Sequence, residues 1–102
     1  MVASSIKRSY INIMEISFDP AKNRANLAKH GVELGLADRI DWAEVWFDVD
    51  IRADYSELRE IGYALIEGRL YCVVYTQRGD TMHVTSLRKA NRREVKRYDE
   101  ET

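Results

Sequence analysis

The sequence contains one cysteine and one proline in 102 residues. Cys72 therefore closes no disulfide within the chain and builds no zinc site by itself. No apolar run approaches the ~20 residues that a membrane helix needs. The opening residues, MVASSIKRSY, lack the apolar core of a secretory signal, so a reducing cytoplasm is the expected compartment. There is no internal repeat, low-complexity tract or linker. The P-loop, the dinucleotide fingerprint, the G-x-S-x-G elbow and H-E-x-x-H are all missing. The two histidines, His30 and His83, are too far apart in sequence to suggest a metal pair. No metal site and no cofactor is expected. Catalysis, if present, must run on cationic side chains, histidines and hydroxyls.

What is present is the composition of a folded soluble domain, 45% hydrophobic and 32% charged, which excludes a disordered or collagen-like chain. The formal net charge of -1 conceals a split. From Asp38 to Glu60 eight acids face three arginines, and from Arg69 to Arg97 eight bases face two acids. Such asymmetry points to a basic surface for phosphates and an acidic surface for a basic partner, unless folding interleaves the two blocks.

Residues 11–18 (INIMEISF) alternate loosely and predict a first strand. Asp19-Pro20 is a helix start, with Asp as cap and Pro at the first helical position. The helix runs to Gly31, with Lys29 and His30 in the last turn, where positive charge suits the dipole. Ala21, Ala25, Ala28 and Val32 share one narrow face, and Lys22, Asn26 and Lys29 share another. Residues 34–42 (LGLADRIDW) predict a second short helix with Leu34, Ile40 and Trp42 in the core. Strands are expected at Val45–Ile51, Ile61–Glu67, Leu70–Gln77 and Thr81–Arg88, with tight turns at Glu67-Gly68-Arg69 and Gln77-Arg78-Gly79-Asp80. Ala90–Glu101 is polar and helix-favouring, with Val95 and Tyr98 as its apolar contact. The order β-α-α-β-β-β-β-α implies a single α+β domain, a mostly antiparallel sheet with helices packed on it. Met14 lies inside the first strand, so residues 1–13 read as an N-terminal extension or an upstream start, and 14–102 as the domain.

RNA is a substrate that suits this set of side chains. Its own 2′-hydroxyl attacks the adjacent phosphate, so the protein need only align the attack, stabilise the phosphorane oxygens and move protons. Arginine offers a two-bond fork to phosphate and histidine titrates near neutrality. The candidates are Lys22, Lys29 and His30 on the first helix, Arg59, Arg78, His83, and Arg88-Lys89 at the end of the last strand. The plain readings stand beside these: solvated helix face for Lys29, a half-buried histidine for His83, salt bridges for Arg59 and Arg88. Tyr71 and Tyr75 share a strand face on which bases could stack, with core packing the plainer reading. Trp42, Trp46 and Phe47 read as core or interface, and Cys72 as a buried, inert thiol.

Taken in order, these pieces resemble a known pattern. Phe18-Asp19-Pro20-x-Lys22, Asn26 and Lys29-His30-Gly31-Val32 come first. Then follow Asp54-Tyr55, Arg59, Ile61-Gly62, Val73-Val74-Tyr75-Thr76-x-Arg78-Gly79-Asp80, Ser86-Leu87-Arg88-Lys89-Ala90, Arg93-Glu94 and Tyr98. Over residues 15–98 the chain resembles the BrnT family of toxins, the ribonuclease halves of type II toxin–antitoxin modules. The resemblance implies a RelE-like fold and metal-independent mRNA cleavage that blocks translation and arrests growth. It also implies a BrnA-type ribbon-helix-helix antitoxin, in a 2:2 complex that binds promoter DNA through the antitoxin. Carried over by position, Lys22, Arg59 and Arg88 would clamp phosphate and His30 or His83 would transfer protons. Lys29, Arg78 and Lys89 would contact RNA. At His83 the family is expected to favour arginine, which would make phosphate contact its role. The alternative is a toxin homologue of weak activity that acts as an antitoxin-binding module in autoregulation.

Overall fold

The computed structural model describes residues 14–50 and 57–102, so the proposed extension 1–13 and the Asp54-Tyr55 motif lie outside the described residues. The elements are β1 (Glu15–Ser17), α1 (Pro20–His30), two 3₁₀ segments (Leu34–Arg39 and Trp42–Glu44), β2 (Trp46–Val49), β3 (Glu60–Ile66), β4 (Arg69–Arg78), β5 (Thr81–Lys89) and α2 (Arg92–Glu101). The expected order holds with one correction. The second helix, expected over 34–42, is two 3₁₀ stretches instead. Leu34, Ala37 and Ile40 are all buried, and their spacing of three is the 3₁₀ period, which lines them up on one side.

The five strands lie in the order β1-β5-β4-β3-β2, antiparallel except for β1, which pairs parallel to β5. One face carries the core. Ala64, Ile66, Tyr71, Val73, Tyr75, Met82, Val84 and Leu87 meet Val32, Trp42, Val45 and the 3₁₀ residues there. The Trp42 and Tyr75 rings meet edge to face at 4.9 Å, so Tyr75, 1% exposed, stacks on protein and offers no platform for a base. Gly62 lets this packing close, because a Cβ there would stand 2.5 Å from Val45 Cγ1. Cys72 is buried, as expected.

Alternation along β5 is broken once. Val74 pairs with Ser86 and Tyr75 with Val84, which leaves Thr85 as an extra residue. Strict alternation would send His83 and Arg88, five apart, to opposite faces. The bulge puts both on the face away from the core, while Val84 and Leu87 both stay inside.

Helix α1 begins and ends as its sequence dictates. Asp19 accepts a hydrogen bond from Ala21 N–H (2.8 Å), and Gly31, at φ 69°, closes the C-terminus by donating to Leu27 O. Its docking is unusual, because the alanine face is exposed and Asn26 is the helix's buried residue. The Asn26 amide donates to Leu87 O (2.7 Å) and Val32 O (2.9 Å) and accepts from Leu87 N–H (3.2 Å). Asn23 adds a bond from Leu34 N–H to its side-chain oxygen (2.7 Å).

Helix α2 also docks through polar groups, and none of its residues is fully buried. Asn91 and Glu94 form a reciprocal capping box. The same Glu94 carboxylate accepts both Nη atoms of Arg88 at 2.8 Å and the Tyr63 hydroxyl at 3.1 Å. Arg97 lies over the rings of Trp46 and Tyr63, 4.9 and 5.5 Å from their centroids. The hydrogen bonds from Arg88 hold the Glu94 carboxyl down at about 2.

Two stability predictions follow from these docks. Asn26→Ala leaves Leu87 N–H and C=O without their partner and should cost about 3 kcal/mol, read from denaturant melts. A loss under about 1 kcal/mol would show that α1 is held by something else. Glu94 has a folded-state pKa below its ordinary value of 4.5, so its contribution is full above that pH and drains away as pH falls toward about 2. Glu94→Gln should flatten that part of the pH–stability curve and speed hydrogen exchange in α2.

Candidate functional site

Beyond α2, the same sheet face opens into a cavity of about 270 Å³. It is lined by Asp19, Lys22, Glu57, Arg59, Thr76, Arg78, His83 and Thr85. Strand register explains the gathering. Ser17 is opposite His83, and His83 is opposite Thr76. Arg59, just before β3, falls next in the same row, with its carbonyl accepting from Asp50 N–H. Arg78 lies two residues on from Thr76 and shares its face. Lys22 arrives from α1, one turn before the Asn26 dock and on the same side of the helix.

Four of the expected residues, Lys22, Arg59, Arg78 and His83, therefore meet in one cleft. Ser17 Oγ and His83 Nδ1 are hydrogen-bonded at 2.8 Å, which fixes the ring and leaves Nε2 for a ligand. Arg78 forms a two-bond ion pair with Glu57, Nε to Oε2 at 2.9 Å and Nη2 to Oε1 at 2.5 Å. The Arg78 bonds hold the Glu57 carboxyl below its ordinary range, helped by the charges of His83 and Arg59.

The remaining candidates lie elsewhere. His30 ends α1, some eight residues or ~12 Å along the helix from Lys22. Burial, then the positive charges of Lys29 and Arg88, lower its pKa, which favours the neutral ring. Arg88 stands near this end, and both its Nη atoms are engaged by Glu94. Lys89 is on the core side of the sheet, where it borders a different cavity of about 480 Å³ with Phe18, Leu27, Leu36 and Tyr71. A third cavity, about 520 Å³, lies between α2 and the β3–β4 turn. Neither of these two collects histidine.

Sequence reasoning missed Glu57, Thr76 and Thr85. Glu57 was hidden in the acidic block, and only the cross-strand register could have paired it with Arg78. Among the described residues no cluster of three His, Cys, Asp or Glu is arranged to hold a metal. No helix among them is long and apolar enough to cross a membrane.

Comparison with known proteins bears on the fold and the family. A family model described as the ribonuclease toxin BrnT of a type II toxin–antitoxin system matches residues 18–94. The crystal structure of the ribonuclease toxin BrnT from Brucella abortus superposes with a TM-score of 0.56 at 20% identity, over 78% of this chain and 99% of that one. Comparison with curated proteins gives no match. The α+β fold is thus that of the Brucella toxin, and with the family match spanning the cleft and both helices' start sites, the chain belongs to the BrnT family of type II toxin–antitoxin ribonuclease toxins.

Proposed function

We propose that this chain is an endoribonuclease toxin whose cleft cuts mRNA by attack of the ribose 2′-hydroxyl on the adjacent phosphate. The observation that carries this reading is the convergence of Lys22, Arg59, Arg78 and His83 on one cavity. The three cations meet the charge that grows on the phosphorane oxygens, a stabilisation worth several kcal/mol in comparable sites. His83, oriented by Ser17, transfers a proton through Nε2. The step needs no metal ion, since RNA brings its nucleophile and the cleft brings the charge. His30, Lys29 and Arg88 lie further along α1 and β5, where Lys29 offers a cation to a neighbouring phosphate and the His30 ring, kept neutral by burial and by its cationic neighbours, adds hydrogen-bonding capacity. Arg88 acts there as the pin of α2 and gives its fork to Glu94.

Family membership implies an RNA substrate and a protein antitoxin. The finer reading is a BrnA-type ribbon-helix-helix antitoxin that neutralises the toxin in a 2:2 complex and represses the shared promoter. A short neighbouring gene for such a protein, and its rescue of growth on co-expression, test that reading.

Inducible expression with mapping of RNA 5′ ends tests the activity. Induction should arrest growth, and purified protein should cleave RNA in the presence of EDTA. Lys22→Ala and His83→Ala should each slow cleavage about a hundredfold while keeping the wild-type melting curve. Arrest by both folded variants at wild-type strength would remove this cleft from the mechanism, and loss of cleavage in EDTA would require a metal.

A further inference from the structure

Cleavage of this kind removes one proton, from the 2′-hydroxyl, and delivers one, to the departing 5′-oxygen. Lys22, Arg59 and Arg78 are cationic near neutrality and serve neither task well. Of the two carboxylates in the lining, Asp19 is already the cap of α1. Glu57 is the other, and it shares the cavity with His83.

We propose that Glu57 is the general base of the cleft and His83 its general acid, an assignment that rests on the ribonuclease reading above. Glu57 takes the proton from the 2′-hydroxyl as the 2′-oxygen bonds to phosphorus. The bond from phosphorus to the 5′-oxygen breaks, and protonated His83 donates its Nε2 proton to that oxygen. The products are a 2′,3′-cyclic phosphate and a 5′-hydroxyl end. One proton is taken up and one is released, and no other reactant enters.

The Arg78–Glu57 pair explains how the base becomes available. Its side chains are 49% and 46% exposed, so the pair is weak and exchangeable. A phosphodiester offers Arg78 the same two-oxygen geometry that Glu57 does. When phosphate takes the fork, Glu57 loses the contact that holds its pKa down and becomes more basic with the 2′-hydroxyl beside it. The charged groups around it are Arg78 from β4, His83 from β5, Arg59 before β3, and Lys22 and Asp19 from the start of α1. The Arg88–Glu94 pair cannot play this part, because Glu94 also serves Tyr63 and the α2 cap and its side chain is only 15% exposed.

The test uses the full chain on two substrates, a short RNA and uridine 3′-(p-nitrophenyl phosphate), whose phenolate leaves without a proton. Glu57→Gln keeps an acceptor for Arg78 but takes no proton. It should lower kcat/KM about a hundredfold on both substrates and erase the acid limb of the pH–rate profile. Glu57→Asp should retain that limb at reduced kcat, which guards against a folding defect. His83→Gln should be slowed as much on RNA, yet stay within about tenfold of wild type on the aryl ester. Glu57→Gln within about threefold of wild type, or His83→Gln equally slow on both substrates, overturns the assignment. If the unaltered chain cleaves neither substrate, the ribonuclease reading falls and this assignment falls with it.

Discussion

The side-chain amide of Asn26 stands where a further strand would otherwise pair with β5, bonded to both the N–H and the C=O of Leu87. Among the described residues β1 pairs with β5 at Thr81–His83, and further along that edge the Asn26 amide takes the place of a strand at Leu87. A buried amide left without partners costs about 1–3 kcal/mol, which makes the match strict in position and in chemistry. The cleft inherits that strictness. Lys22, Asn26 and His30 follow at intervals of four, so one bonded amide sets where the other two side chains stand along β5. A helix docked by apolar packing could slide or roll by a few tenths of an ångström at little cost. One held by two directed bonds to a strand resists both, and the cation that it carries to the cavity is placed accordingly.

Two bidentate arginine–carboxylate pairs, one through both Nη atoms of Arg88 and one through Nε and Nη2 of Arg78, do different work because of where they lie. Arg88–Glu94 is partly enclosed, with side-chain exposures of 33% and 15%, and is knitted into Tyr63 and the helix cap. Such a pair fixes structure, and breaking one side leaves the other charge poorly solvated. Arg78–Glu57 is open to water and contributes little to stability. A pair that contributes little is one that a ligand can open. The guanidinium of Arg78 is thus held by a carboxylate whose place another two-oxygen anion can take.

Much of the fold was legible from local chemistry. Asp19-Pro20 and Gly31 marked the ends of α1 to the residue, because caps are short-range signals. The turn that contains Gly79 set the β4–β5 pairing, and the polar, helix-favouring run Ala90–Glu101 marked α2, whose Asn91–Glu94 capping box the structure then showed. The second helix failed because a period of three and one of 3.6 are hard to separate over six residues. The site was legible in part. Lys22, Arg59, Arg78 and His83 were found as residue types suited to phosphate, and the sheet together with α1 brought them to one cavity. Arg88 and Lys89, as neighbours on a strand, had to face opposite ways, but which of them faced the core depended on the bulge at Thr85, which the sequence does not mark. Glu57 was invisible because its meaning comes from Arg78, twenty-one positions away and across a loop.

The charge blocks, so plain along the chain, do not survive folding as surfaces. Asp50 and Glu60, from the acidic block, are each 4% exposed. Glu57 enters the basic cleft, while Asp38, Asp41 and Glu44 remain outside it. From the basic block, Arg78 and Arg88 pair with acids, Arg97 lies on Trp46, and Lys89 faces the other side of the sheet. A protein with net charge -1 can hold a polyanion on these terms, because affinity for a phosphate depends on the few charges within a Debye length of it. For an RNA ligand, the low total charge would confine contact to the cleft and its margins. On the proposed ribonuclease reading, binding should then be weak along the strand and concentrated at the phosphate that the cleft holds.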